Sequence, residues 1–133
     1  VDRKTKNPYD IEHIWANDFD RFKGEFSDKS EFALFRDNVA GLLLLPADVN
    51  RSLQDRPFID KVPVYGGQNL YAASLFATTY QNQPKFAAFQ DREQLKFQPH
   101  SQFGKAEQLE RRDLVLALVK QIWSTERLKK VIE

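Results

Sequence analysis

The sequence predicts an α+β fold that is mostly helical, with two short strands in the N-terminal third of the chain. The first strand is "DIEHIW", which ends on Ile14 and Trp15, and the second is "LLLLP", a continuous apolar run that stops at Pro46. The clearest helix is "KAEQLERRDLVLALVKQIW", because Leu114 and Leu118 lie four residues apart on one broad apolar stripe. The strands come first and the helices follow, which is typical of an α+β domain.

Local signals place the other elements of the N-terminal half. Ser30 is a candidate N-cap for a helix through "EFALFRDN". After the second strand, "ADVNRSLQDRPF" predicts a turn into a short helix from Asp48 to Leu53. The stretch "DKVPVYGGQ" contains one Pro and two Gly, so we expect an irregular connection there.

The C-terminal half is predicted to be helical. "QNLYAASLFATTY" can form one helix, and "NQPKFAAFQDREQ" can form another with Pro84 at its first position. Ser124 is a candidate cap for a last helix through "TERLKKVI". No repeat or low-complexity linker divides the chain, so we expect residues 1–133 to form a single domain.

Composition limits the kind of protein and the kind of site. Apolar residues make up 41% of the 133 residues and charged residues 29%, the balance of a globular domain. The longest apolar run is too short to span a bilayer, so no membrane is expected as a partner. There is no Cys, so any metal must be held by oxygen and imidazole ligands. The chain has no Met and begins at Val1, so we expect a piece of a larger protein.

Two polar residues follow the strands in a suggestive order. His13 lies at the end of the first strand, and Asn50 lies where the second strand gives way to a helix. This strand–His, strand–turn–Asn–helix order is that of a ββα-metal nuclease finger. Imidazole can act as a general base near neutral pH. A hard cation such as Mg²⁺ or Mn²⁺ is held by carboxylate and amide oxygens and stabilises charge on a phosphate. The pattern therefore predicts His13 as the base, with Glu12 and Asn50 as metal ligands.

One geometric difficulty concerns the acidic ligand. Adjacent residues on a strand point to opposite faces, so Glu12 and His13 share a site only if the backbone turns there or they flank it from two sides. Asp10 is the substitute ligand if the register is shifted by two. Asn50 could instead be only a helix cap, and His13 only a buried histidine with one hydrogen bond.

The segments "DIEHIW", "VAGLLLLPADVNRS", "YGGQNLYAASL" and "ERRDLVLALVKQIWS" resemble the HNH-type nuclease domain at the C-terminus of GmrSD-like modification-dependent restriction enzymes, whose relatives include phosphorothioate-sensing defence nucleases. The resemblance covers nearly the whole chain in order. It implies a ββα core of two short strands and a helix, wrapped by further helices. The family often has Pro where this chain has Ala16, and many members have Asn where it has Gly41.

The resemblance also implies a function and partners. It implies a DNA-nicking endonuclease of a bacterial defence system, with a cytoplasmic location. The other partner would be an N-terminal, NTPase-like sensor domain, and the oligomeric state is open. The net charge is only +1, so DNA would be bound by a local basic face, for which Arg51, Lys61, Arg111 and Arg112 are candidates. A non-catalytic DNA-binding or docking module and an RNase are the alternatives.

Overall fold

The computed structural model describes residues 8–81, 83–124, 126, 129 and 130. Its sheet is an antiparallel pair of strands, β1 (Tyr9–His13) and β2 (Leu42–Pro46). Residues pair one to one from Tyr9 opposite Pro46 to His13 opposite Leu42, without a bulge. The sheet is accompanied by seven α-helices in the described part of the chain, which confirms a mostly helical α+β fold.

The α-helices are α1 (Lys29–Arg36), α2 (Ala47–Leu53), α3 (Phe58–Tyr65), α4 (Leu70–Ala73), α5 (Ala77–Gln81), α6 (Pro84–Glu93) and α7 (Lys105–Ile122). The stretch "QNLYAASLFATTY", predicted as one helix, forms the two short helices α4 and α5. Short 3₁₀ turns cover Phe19–Phe22 and Val39–Gly41. None of the helices in the described residues is long and apolar enough to cross a membrane.

The inward face of the sheet lies on the core and positions the site. Leu43 and Leu45 are buried, and their cross-strand partners Glu12 and Asp10 project to the same face. Beyond the end of β1, Trp15 is also buried, and its ring packs against an aromatic cluster formed by Phe22, Phe26, Phe32 and Phe103. Its indole Nε1 donates to the carbonyl of Phe103 at 2.5 Å. The backbone just after His13 is therefore held by the core.

Some local predictions need correction. Asp28, rather than Ser30, caps α1, because its carboxylate accepts from the Glu31 amide at 2.8 Å. The stretch expected to be irregular forms α3, which continues through Pro63. This helix buries Val62 and Tyr65 on one face, and that burial outweighs the amide that Pro63 lacks. Most of the predicted last helix lies outside the described residues.

The start of α1 carries a pH-sensitive contact with α7. The Glu31 carboxylate accepts a hydrogen bond from Lys105 Nζ at 2.8 Å and another from the Ser27 hydroxyl. These hydrogen bonds, above all the one from Lys105, lower the pKa of Glu31 to about 2. A carboxyl with a lowered pKa stabilises the fold above its ordinary pKa and loses that effect as the pH falls. We expect the stability difference between wild type and Glu31→Gln to shrink toward zero as the pH falls to about 2. Urea unfolding at a series of pH values measures it, and a difference that stays constant over that range would contradict the assignment.

Candidate functional site

Strand β1, the segment that follows it, and the helices α1, α2 and α3 border a cleft of about 380 Å³. His13 enters it from the end of β1 and Asn50 from α2. Glu12, Arg36, Arg51 and Lys61 also line it. The cleft therefore collects most of the polar residues singled out in the N-terminal half of the sequence, although they come from elements up to about 50 residues apart in the chain.

His13 is held by an acid that the sequence pattern did not indicate. Its Nε2 lies 3.0 Å from Oδ1 of Asp37, the residue that ends α1. The side chain of His13 is 30% exposed and that of Asp37 is 70% exposed, so the pair lies at the rim of the cleft. When the Asp37 carboxylate accepts a hydrogen bond from the Nε2–H group, Nδ1 is the nitrogen with a free lone pair. That is the atom with which His13 could accept a proton.

Asn50 lies beside Asp10. Its Nδ2 donates to Oδ2 of Asp10 at 3.3 Å, and Arg51 Nε is 3.7 Å from the same oxygen. Asn50 is the fourth residue of α2, whose N-cap position is Pro46. The reading of Asn50 as a helix cap is therefore excluded. The amide instead reaches across to the first strand.

Glu12 is buried in an ion pair. Only 4% of the residue is exposed, and its Oε1 lies 3.3 Å from Nζ of Lys61, a residue that is 1% exposed. The same ammonium donates to the carbonyl of His13 at 3.1 Å. The second carboxylate oxygen of Glu12, Oε2, is buried without a hydrogen bond of good geometry in the described residues. The same holds for the neighbouring Tyr65 hydroxyl. Glu12 therefore belongs to the floor of the cleft.

Burial governs the ionisation of this pair. It raises the pKa of Glu12 and lowers the pKa of Lys61, and the attraction between the two charges offsets this only in part. Burial first, and then the Glu12 charge, raises the pKa of Tyr65. Each member of the pair is thus held in water-poor surroundings that disfavour its charge, so removal of one partner leaves an expensive isolated charge.

The continuous strand register bears directly on the difficulty noted for Glu12 and His13. It puts the two side chains on opposite faces of the sheet, so a site that contains an inward-facing acid and His13 is flanked from two sides. With a continuous register, Glu12 points to the inward face, opposite Leu43, and His13 points the other way, opposite Leu42. Asp10, two residues before Glu12, points inward like Glu12 but lies where α2 packs on the sheet. Of the two acids, Asp10 is the one with a side-chain contact to Asn50.

The four basic candidates have different surroundings. Arg51 and Arg112 are exposed, whereas Lys61 and Arg111 are buried. The guanidinium of Arg111 donates to the Tyr71 carbonyl at 2.8 Å and stacks on the Tyr71 ring at 4.1 Å. In this structure Arg111 joins α7 to α4, and neither it nor Lys61 presents its charge to solvent.

Close packing against Gln108 explains why position 41 is a glycine. A Cβ at this position would lie 2.6 Å from Nε2 of Gln108, which donates to the Phe35 carbonyl at the end of α1. Gln108 is completely buried, so a side chain at position 41 would have to displace its amide and the hydrogen bond to Phe35. The absence of a side chain at position 41 therefore allows α7 to support the loop between α1 and β2, whose Gly41 carbonyl accepts from the amide of Ile14 at 2.9 Å.

Comparisons with protein-family models, with curated proteins and with solved structures found no match to this chain. The residues of the cleft must therefore be judged by their own chemistry. In the described residues no group of three or more His, Cys, Asp or Glu side chains converges on one point. Asp10 and Asn50 offer one carboxylate and one amide, oxygen donors of the kind that suit Mg²⁺ or Mn²⁺ when water and substrate supply the other ligands. This donor set fits such an ion.

Proposed function

We propose that the chain is a metal-dependent DNA endonuclease domain of the HNH type. The observation that carries the proposal is that β1, β2 and α2 form a ββα unit in which His13 and Asn50 line one cleft. The resemblance of "DIEHIW" and "VAGLLLLPADVNRS" to the nuclease domain of GmrSD-like enzymes supports the same function. The geometry favours phosphodiester hydrolysis because it supplies both a base and oxygen ligands for a hard cation.

In the proposed reaction, His13 accepts a proton from the attacking water at Nδ1 while Asp37 holds Nε2. Lys61 keeps the backbone carbonyl of His13 in place from below. Asp10 and Asn50 would hold the cation, the first through a carboxylate oxygen and the second through its amide oxygen, the Asn50 atom that does not contact Asp10. When bound, Mg²⁺ or Mn²⁺ supplies positive charge for the phosphate and for the leaving oxygen.

We infer that Asp10, rather than Glu12, is the acidic ligand. Glu12 already neutralises Lys61 in the core, and a second cation there would have to displace a buried ammonium. Asp10 is partly exposed, with 30% of its side chain accessible, and its competing cation is the exposed guanidinium of Arg51 at 3.7 Å. An exposed pair of this kind contributes little free energy, so a divalent ion can displace Arg51 from Asp10.

Supercoiled plasmid incubated with the protein and Mg²⁺ or Mn²⁺ tests the proposed function. We expect open-circular product, because one cleft with one base cuts one strand in each encounter, and we expect EDTA to abolish it. Intact plasmid with every divalent ion tried would contradict the proposal. Incubation of single-stranded RNA with the protein in the same buffer distinguishes a DNase from an RNase.

Separate substitution of Asp10 and Glu12 tests which of the two acids is the metal ligand. We expect Asp10→Asn to raise the Mg²⁺ concentration needed for half-maximal nicking by about 10- to 100-fold. Asn50→Ala should shift it in the same direction. Glu12→Gln should leave the Mg²⁺ requirement unchanged in the folded protein, because its partner is Lys61. A shifted requirement in Glu12→Gln with an unshifted one in Asp10→Asn would assign the ligand to Glu12.

A non-catalytic DNA-binding or docking module is the second candidate. The contact between Arg51 and Asp10 favours it, because a guanidinium there can substitute permanently for a metal ion. This candidate predicts retarded DNA in a gel without any cleavage.

For the nuclease we propose a role in bacterial defence against foreign DNA, with modification sensing by an N-terminal, NTPase-like domain of a larger protein.

A further inference from the structure

Arg36 lines the cleft but has no role in the reaction proposed for His13, Asp10 and Asn50. It is the last residue of α1, and its Nε donates to the carbonyl of Trp15 at 3.0 Å. Trp15 is 2% exposed and its ring lies within the aromatic cluster, so this carbonyl is a rigid anchor. Because Trp15 follows His13 by only two residues, the anchor fixes the guanidinium close to the end of β1.

The terminal nitrogens of Arg36 have no partner among the residues that the structure describes. In the described residues Nη1 and Nη2 form no hydrogen bond or ion pair with protein, although the side chain lines the cleft with His13 and Asn50. The other two cations of the cleft are engaged, since Lys61 pairs with Glu12 and Arg51 approaches Asp10. Arg36 therefore presents the free half of a guanidinium fork to the cleft.

Among the described residues, the charge of Arg36 has no counterion of its own. Its nearest acids are Asp37 and Glu12, and these already contact His13 and Lys61. Partial burial lowers the pKa of Arg36, but a guanidinium still keeps its proton at neutral pH. A cation that is partly desolvated and unpaired is stabilised by an incoming anion. Phosphate matches the planar fork, which can donate two parallel hydrogen bonds to it.

We propose that Arg36 binds the phosphate of the nucleic-acid backbone that enters the cleft, at the bond to be cut. This inference rests on the proposed nuclease function and adds a residue to it. The Trp15 carbonyl holds Nε, and Nη1 and Nη2 donate to the two non-bridging phosphate oxygens. As negative charge builds up on the phosphate during attack, these hydrogen bonds strengthen, so Arg36 acts on the chemical step as well as on binding.

Two variants and a matched control test the proposal. Arg36→Ala removes the fork, Arg36→Lys keeps the charge without the fork, and Arg92→Ala removes an exposed cation of α6 outside the cleft. Single-turnover nicking in Mg²⁺ gives the rate, and a fluorescent single-stranded oligonucleotide in EDTA gives binding without cleavage. Thermal unfolding of each variant identifies any that do not fold, in which case Arg36→Lys provides the comparison.

We expect nicking to fall by about 100-fold in Arg36→Ala, with partial recovery in Arg36→Lys and no change in Arg92→Ala. Oligonucleotide binding should weaken more in Arg36→Ala than in Arg92→Ala. If wild type nicks plasmid and both Arg36 variants nick it equally fast, the inference is overturned while the nuclease function stands. If wild type does not nick but Arg36→Ala loses oligonucleotide binding, the nuclease function fails and the phosphate site remains. If wild type does not nick and Arg36→Ala binds the oligonucleotide as tightly as wild type does, both proposals fail.

Discussion

His13→Ala should reduce the rate of plasmid nicking by about 100- to 10,000-fold, the usual effect of removing a general base. His13 has one nitrogen fixed by Asp37 and the other free, and its backbone is clamped from two sides. The Ile14 amide donates to Gly41, and the His13 carbonyl accepts from Lys61. The hydrogen bond to Asp37 and these two backbone contacts together hold His13 at the end of β1.

His100→Ala is the matched control, because the chain has only two histidines. His100 packs edge-on against Phe103, 5.6 Å between ring centroids, and it is not among the residues that line the cleft. Its variant should nick plasmid at the wild-type rate. Mg²⁺-dependent nicking that survives in His13→Ala at an undiminished rate would show that the base has been assigned to the wrong residue.

Lys61→Met should lower the free energy of unfolding by about 3 to 5 kcal/mol, because it leaves the Glu12 carboxylate buried without its partner. The loss should also depend on pH. Without Lys61, the pKa of Glu12 rises further above its unfolded value, so the folded state binds a proton that the unfolded state releases. The variant should therefore gain stability relative to wild type as the pH falls from about 8 to about 5.

The double variant Glu12→Leu with Lys61→Met is the control for this mechanism. It removes both charges, and replacement of a buried ion pair by apolar residues is often neutral. It should recover a large part of the stability, although the His13 carbonyl still loses its donor. Urea unfolding of the three proteins at both pH values measures the effect. Equal stability of wild type and Lys61→Met, or a loss independent of pH, would contradict the role given to the pair.

The backbone of the site was predictable from local signals. An apolar run ended by Pro46 and a short run ending in Trp15 predicted the two strands, and the helix bearing Asn50 follows directly. Four-residue spacing of Leu114 and Leu118 predicted α7. These signals are local because strand and helix periodicity depend on neighbours within one or two turns.

The partners of the site residues were not predictable in the same way. Asp37 approaches His13 from 24 residues away, and Lys61 approaches Glu12 from 49 residues away. Such contacts depend on how the helices pack, and a single sequence carries no direct signal for them. Lys61 looked like a surface cation because most lysines are exposed, and only the burial of α3 shows otherwise. Nothing in the local sequence "LFRDN" distinguishes Arg36 from any basic residue near a helix end.

The location of a bound Mn²⁺ ion is the most direct test that this cleft is a one-metal nuclease centre. Anomalous scattering from a crystal of the His13→Ala variant, grown with Mn²⁺ and a short DNA duplex, can locate the ion. We predict a peak about 2 to 2.3 Å from a carboxylate oxygen of Asp10 and from the amide oxygen of Asn50. DNA bound elsewhere, with no Mn²⁺ peak in the cleft, would contradict the account.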